Sequence, residues 1–270
     1  MISFAPIIEI SLKNKSCEPD KIVAAALDIL RNGRREKEQD LAKENFLITL
    51  GATREAIDPV RFISNNSSGR MGFAIAEAAQ RRGARVTVIA GTTTAVAPKA
   101  VEIIRTTTAE EMYQAVMQNV PPASVFIATA AVADYRPVHQ SPEKVKKTED
   151  SVSLELERTP DILSAVANRN QPELLVIGFA AETANVLANA REKLTNKRLH
   201  AIVANDVSQQ GVGFDSATNE VTILSRDSTA PIHVPLMAKT SLADIILDEV
   251  VRLRAREERQ SPAEPARERG

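Results

Sequence analysis

The sequence predicts an α/β protein: a mostly parallel sheet flanked by helices, with a small antiparallel β extension. Three observations carry this. Short unbroken apolar runs recur, among them Phe46–Leu50, Val125–Thr129 and Leu174–Phe179, and runs of that length suit strands buried on both faces. Segments with helical apolar spacing alternate with these runs, the signature of βαβ units. The alternation then breaks near the end, where Glu220–Ser225 and Pro231–Pro235 flank a turn and read as a hairpin.

Residues 1–45 read as an appendage and linker. Pro19–Leu30 has helical spacing, and Arg31–Asn45 is mostly charged, as solvated linkers are. Phe46–Leu50 opens the main domain as a strand ended by Gly51, followed by a long polar loop. Phe73–Arg82 is an Ala-rich helix closed by Gly83, and Arg85–Ala90 is the next strand. Val101–Arg105 is a short strand. Ala109–Asn119 is a helix entered through threonines, with Glu110 and Glu111 in its first turn. Val125–Thr129 is a strand. Ser151–Glu157 alternates strictly and reads as a half-exposed strand, and Thr159–Leu163 starts a helix. Leu174–Phe179 is a buried strand, Glu182–Leu194 a helix, and Ala201–Ala204 a strand. Lys239–Arg256 is a long helix, which bounds the main domain at 46–256. Residues 257–270, charged and bearing two prolines, read as a disordered tail.

Composition narrows the function. Hydrophobic residues make up 43% and charged residues 26% of 270, ordinary globular usage with room for a substantial core. A formal net charge of −1 gives no basic field for nucleic acid. Pro6 and Glu9 interrupt the apolar N-terminus, so neither a signal peptide nor a membrane span is expected. A single cysteine, Cys17, forbids an internal disulfide and suits the cytoplasm. With three histidines besides, a zinc site of thiolates or several histidines is not expected, and any metal should be a hard cation on carboxylates and phosphates.

The candidate site begins at the turn Asn65-Asn66-Ser67-Ser68-Gly69-Arg70-Met71-Gly72, between the first strand and first helix of the main domain. Backbone N–H groups at a helix start attract anions, and glycines admit a phosphate closely. Gly51, Ser68, Gly69, Met71 and Gly72 are therefore nucleotide-binding candidates. The turn is neither a Walker A loop nor a dinucleotide fingerprint, because both the lysine and the downstream acid are missing. Ala130–Tyr135 follows a strand with small residues and then Asp134, as at the carboxyl edge of an open α/β sheet. Arg136–Asp150 is polar and carries Lys144, Lys146 and Lys147, which reads either as a surface loop or as a lid that brings an ammonium over a triphosphate.

Seven blocks in order make the reading specific: Gly51–Glu55, Ile57–Arg61, Asn65–Gly72, Ala130–Tyr135, Lys144–Lys147, Gly178–Thr183 and Ala204–Val207. Over residues 46–252 the chain resembles the phosphopantothenoylcysteine synthetases (phosphopantothenate–cysteine ligases), the second half of the bacterial bifunctional coenzyme A biosynthesis flavoproteins. The resemblance implies a Rossmann-like core that joins 4′-phosphopantothenate to L-cysteine, using CTP more than ATP, with Mg²⁺, through an acyl-cytidylate. It implies that Asn65 acts on that intermediate and that Lys144 is catalytic on a flexible loop over the nucleotide. It implies that Ala128, Thr129, Ala130 and Asp134 line the nucleotide site. Pro160, Asp161, Ile162, Leu163, Phe179, Lys193 and Lys197 would line it too. It further implies a homodimer through the Glu220–Pro235 hairpin. The segment before residue 46 is too short for the family's flavin-dependent decarboxylase domain, so no FMN is expected, and a separate phosphopantothenoylcysteine decarboxylase is a candidate partner. The family usually has two glycines where this chain has Gly51-Ala52; if the second needs positive φ, Ala52 would be strained.

The chemistry suits those roles. A carboxylate is a poor electrophile until a nucleotidyl group makes it a mixed anhydride. A lysine and a divalent cation can neutralise the charge gathering on the α-phosphate, and an amide can stabilise the oxyanion of the second step. Two rival readings are a nicotinamide-dependent reductase and a ligase-like scaffold without activity. The reductase would need a lysine four residues after a tyrosine, but Met117 follows Tyr113 and His139 follows Tyr135 at that spacing.

Overall fold

The computed structural model describes residues 39–99, 101–146, 153–182, 184–206 and 216–260. The expected helix at Pro19–Leu30, together with Cys17, Lys147, Thr183 and Val207, lies outside them. The first strands are β1 (Asn45–Leu50), β2 (Arg54–Ala56), β3 (Phe62–Ser64), β4 (Arg85–Ala90), β5 (Glu102–Arg105) and β6 (Val125–Ala128). They continue as β7 (Tyr135–Pro137), β8 (Leu156–Arg158), β9 (Leu175–Glu182), β10 (Ala201–Asp206), β11 (Thr218–Ser225) and β12 (Ile232–Ala238). The helices are α1 (Arg70–Arg81), α2 (Ala109–Asn119), α3 (Ile162–Ala167), α4 (Val186–Asn196) and α5 (Lys239–Gln260).

The main sheet has the order β12-β11-β10-β9-β6-β1-β4-β5. Six strands, from β5 to β10, run parallel, and β11 and β12 extend the sheet as an antiparallel hairpin. Read from β5, the parallel part is the doubly wound order, reversing between β1 and β6. This is the Rossmann-like arrangement with an antiparallel extension. Successive side chains of a strand point to opposite faces. Phe46, Ile48 and Leu50 of β1 therefore pack with α1 and α5, while Leu47 packs on the other face with α2, α3 and α4.

Where α1 crosses β1 the backbone approach is close. A Cβ on Gly72 would lie 2.5 Å from Leu50 Cβ and 2.5 Å from Thr129 Oγ1. Gly72 thus serves helix–sheet packing in the first turn of α1, as the third glycine of a dinucleotide turn does. Positive φ occurs at Gly51 (78°) and at Gly69 (76°), the residue before α1. Ala52 is not among the positive-φ residues, so its backbone carries none of the strain the sequence raised.

Several boundaries differ from the sequence expectation. The helix starts at Arg70 rather than Phe73, because Gly69 turns the chain and Met71 and Gly72 already belong to the first turn. Glu182 ends β9 rather than opening a helix: it pairs with Asp206, and α4 begins only after Asn185, at φ 49°. The long loop after β1 contains the antiparallel pair β2–β3, and β7 pairs with β8. The chain remains helical to Gln260, past the expected start of the tail, and Glu257 there pairs with Arg254 at 3.0 Å.

His200, just before β10, supplies a pH test. Its Nδ1 accepts from the Val176 N–H at 3.0 Å. Burial, with Arg226 and Arg254 nearby, pushes its imidazole down to about 4. A lowered histidine is neutral in the fold, so the unfolded chain binds the extra proton between pH 6.5 and 4 and stability falls as pH falls through that window. Chemical denaturation should show wild type losing up to about 3 kcal/mol more than His200→Asn across it. Equal losses would remove this role from His200.

Candidate active site

The carboxyl ends of β1 and β6 diverge at the point where strand order reverses, and the loops that leave them are laced together. The Thr129 N–H and hydroxyl both donate to the Thr49 carbonyl, at 3.0 and 2.7 Å. The Ala131 N–H donates to the Gly51 carbonyl at 2.8 Å, and the Ala133 N–H to the Thr53 hydroxyl at 2.9 Å. This lacing holds Thr129–Ala133 as a fixed ridge with a cavity on either side.

The first cavity, about 510 Å³, brings together Ala128, Ala130 and Asp134 with Pro160–Leu163, Phe179 and Lys197. The Thr159 N–H and hydroxyl tie the Pro160 segment to the carbonyls of Asp134 and Ala133, at 3.0 and 2.6 Å. Asp161 caps α3 by accepting from the Ser164 N–H at 3.0 Å and pairs with Lys197 at 2.7 Å. Burial pushes the Asp161 carboxyl up, but the bonds from Lys197 and Ser164 outweigh it and hold it below the ordinary carboxylate value. Arg158, which sequence reasoning did not name, and Tyr135, named only as the end of the block Ala130–Tyr135, line the same cavity from the β7–β8 ribbon.

The second cavity, about 440 Å³, is lined by Asn65–Gly72 and by Thr129–Val132. Asn65, Ser68, Gly69, Met71 and Gly72 all meet here. Ser68 is buried, and its carbonyl accepts from the Thr93 hydroxyl at 2.5 Å. The two cavities share Ala130, Val132 and Phe179. At that seam the Asn65 amide donates to the Val132 carbonyl at 3.0 Å. Sequence reasoning missed three lining residues from far downstream, Asn205, Asn219 and Lys239. The only sequence signal for them was the block Ala204–Val207, which contains Asn205.

Three candidates line neither cavity. Gly51 holds the ridge through its carbonyl. Lys193 pairs with Glu182 at 2.5 Å, and although burial pushes the Glu182 carboxyl up, Lys193 and Asn189 hold it below its ordinary value. Lys144 is exposed on the loop between β7 and β8. That loop is docked on the β2–β3 turn: the Ser141 N–H donates to the Ile57 carbonyl at 2.9 Å, and the Val145 N–H to Asp58 at 3.2 Å. Arg61 completes the clasp, with Asp58 at 2.6 Å and the Val145 carbonyl at 2.9 Å. Its guanidinium, with three backbone N–H groups, holds the Asp58 carboxyl far below the usual range despite burial. Among the described residues, no three His, Cys, Asp or Glu side chains converge into a metal cage, and no helix is long and apolar enough to cross a membrane.

Comparison with known proteins points one way. Residues 41–253 match the family described as the DNA/pantothenate metabolism flavoprotein C-terminal domain. The coenzyme A biosynthesis bifunctional protein CoaBC of Haemophilus influenzae is 42% identical over 239 residues, 88% of this chain and 58% of that protein. CoaBC of Escherichia coli K12 is 45% identical over 215 residues, 78% of this chain and 52% of that protein. The chain thus spans a little over half the length of these curated relatives. The crystal structure of the C-terminal domain of a coenzyme A biosynthesis bifunctional protein CoaBC superposes with a TM-score of 0.68 at 40% identity. It covers 80% of this chain and 97% of that one.

Proposed function

The chain belongs to the DNA/pantothenate metabolism flavoprotein C-terminal domain family, and from that premise we propose that it is a phosphopantothenate–cysteine ligase acting in coenzyme A biosynthesis. The observation that carries the proposal is the pair of cavities meeting at Ala130, Val132 and Phe179, with the Asn65 amide at the seam. A ligase that activates a carboxylate with a nucleotide needs two adjoining seats, so that the acid's carboxylate meets the α-phosphate at their junction.

In this reading the first cavity takes CTP and the second takes 4′-phosphopantothenate, so Ser68, Gly69, Met71 and Gly72, expected on the nucleotide, are reassigned to the seat of the acid. A carboxylate oxygen attacks the α-phosphorus, the bond to pyrophosphate breaks, and acyl-cytidylate forms. The amine of L-cysteine then attacks the acyl carbon, the C–O bond to CMP breaks, and the nitrogen sheds a proton. Lys144 acts on the phosphate charge of the first step, and the Asn65 amide on the oxyanion of the second. Mg²⁺ fits the first cavity: Asp161 is committed to Lys197, and Asp134 is the other carboxylate there to supplement phosphate oxygens. That cation would supply charge neutralisation to the triphosphate. No electron transfer occurs in this ligation, so FMN has no place in it.

The test is product analysis with CTP or ATP, 4′-phosphopantothenate and Mg²⁺, with and without cysteine. Phosphopantothenoylcysteine in step with pyrophosphate supports the reading, and faster turnover with CTP than with ATP supports the nucleotide assignment. Cysteine-independent nucleotide hydrolysis without amide would contradict it.

We further propose that the protein acts in the cytoplasm as a homodimer whose product passes to a phosphopantothenoylcysteine decarboxylase. β12 forms the sheet edge and exposes Ile232 (43%) and Leu236 (54%), and such edges are normally covered or charged. Light scattering should give twice 29.3 kDa; a monomer at micromolar concentration would overturn the assembly.

A further inference from the structure

Thr53, between β1 and β2, is fully buried and lines neither cavity. A buried hydroxyl needs partners, and those of Thr53 lie on the ridge and beside Asn65. Its N–H donates to the Ala131 carbonyl at 3.3 Å, and its hydroxyl accepts from the Ala133 N–H at 2.9 Å. One residue thus grips the ridge on both sides of Val132. Its carbonyl accepts from the Ser64 hydroxyl at 2.7 Å, a bond that the pairing of Arg54 with Ser64 across β2 and β3 sets up. The alternative acceptor for that hydroxyl, the Asn65 carbonyl, is farther away at 3.4 Å.

These bonds close into a ring. It runs from the Thr53 hydroxyl through Ala133 to Val132, whose carbonyl accepts from the Asn65 amide at 3.0 Å. It returns along the chain to Ser64 and so to the Thr53 carbonyl. Asn65 is exposed, and a donor stabilises an oxyanion strongly only when it is already aimed there. The amide nitrogen carries two N–H groups. The Val132 carbonyl takes one, which fixes the amide's orientation and leaves the second, among the described residues, for the acyl oxygen. The placing of the Val132 carbonyl therefore decides where that second N–H points. The bonds from Ala131 to Gly51 and from the Thr159 hydroxyl to Ala133 do not involve the Thr53 side chain. The ridge accordingly keeps its course when the Thr53 hydroxyl is removed, and only the fine placing of Val132 changes.

We infer that Thr53 is a positioning residue for the second half-reaction: its hydroxyl sets the Val132 carbonyl, and that carbonyl aims the Asn65 amide at the developing oxyanion. The inference rests on the ligase reading and deepens it.

Thr53→Val keeps the shape and removes the acceptor. Quenched reactions of the full chain with CTP, 4′-phosphopantothenate, Mg²⁺ and cysteine, separated by chromatography, test it. Conversion of acyl-cytidylate to amide should slow by about 10–100-fold, since misplacing a reacting group by about 1 Å costs up to about 10²-fold. Pyrophosphate release should slow far less. Thr53→Ser, which keeps the hydroxyl, should restore the wild-type partition between acyl-cytidylate and amide. In the Asn65→Asp background Thr53→Val should add little, because residues that act as a unit are not additive. If Thr53→Val lacks a cooperative unfolding transition, Ser64→Ala carries the test. Ser64 is exposed, so its replacement leaves the core intact, and it should slow the same step. Three results would overturn the inference while wild-type ligation stands: both half-reactions slowed alike in a folded variant, effects that multiply in the double variant, or a normal partition in the variant that carries the test or in Asn65→Asp. A wild type that makes neither acyl-cytidylate nor amide would overturn the ligase reading along with it.

Discussion

Lys144→Gln is expected to slow pyrophosphate release by roughly 10³-fold, because the role proposed for Lys144 is to neutralise phosphate charge that develops in the first step. Lys144 itself lines neither cavity, but its loop springs from the wall of the first. Lys144 lies on the loop joining β7 to β8, and the base of that ribbon, Tyr135 and Arg158, lines the first cavity. The loop is clasped to the β2–β3 turn by Asp58 and Arg61 at its backbone, which leaves the lysine side chain exposed. An exposed side chain replaced on a docked loop should change stability by no more than about 0.5 kcal/mol. The variant should also convert supplied acyl-cytidylate and cysteine to amide at close to the wild-type rate, since the second step involves no triphosphate. An unchanged rate of pyrophosphate release would remove Lys144 from the chemistry.

Asn65→Asp should separate the two half-reactions. The Asn65 amide donates to the Val132 carbonyl, and Val132 lines both cavities. Aspartate keeps the shape, loses the donor and sets a negative charge where the tetrahedral oxyanion would develop. Loss of one such donor typically costs ~2.7–4 kcal/mol, or about 10²–10³ in rate. Acyl-cytidylate formation depends on other groups and should be slowed far less. Quenched reactions separated by chromatography should therefore show pyrophosphate without matching amide, and an acyl-nucleotide building up. A purely structural role, in which Asn65 caps the turn, gains no support from α1, whose cap position is Gly69 without a side-chain cap bond. Normal amide yield with no accumulated acyl-nucleotide would return Asn65 to that role.

The sequence was most legible where one local rule dominates. β4 (Arg85–Ala90) and α2 (Ala109–Asn119) fall on their expected residues. For α2 the reason is local: Thr108 and Glu111 form a reciprocal capping box. Glu182 was misread because its context favours a helix start, and the competing partner, Asp206, is distant in sequence. β2, β3, β7 and β8 have three residues each, too few to show a period. The site divides the same way. The turn at Asn65–Gly72 and the ridge at Ala130–Asp134 follow β1 and β6 directly, so strand ends point to them. Asn219 and Lys239 reach the second cavity only because the sheet order places β11 beyond β10 and returns the chain beneath it as α5. No local pattern around either residue encodes that return.

The central claim is that the carboxylate seated in one cavity takes the nucleotidyl group from the other before cysteine attacks. The most direct measurement uses 4′-phosphopantothenate labelled with ¹⁸O in its carboxylate, with CTP, Mg²⁺ and cysteine, followed by mass spectrometry of the products. When the acyl C–O bond breaks, the bridging oxygen stays with phosphorus, so the account predicts one labelled oxygen in CMP and none in pyrophosphate. Amide formed with unlabelled CMP would contradict it.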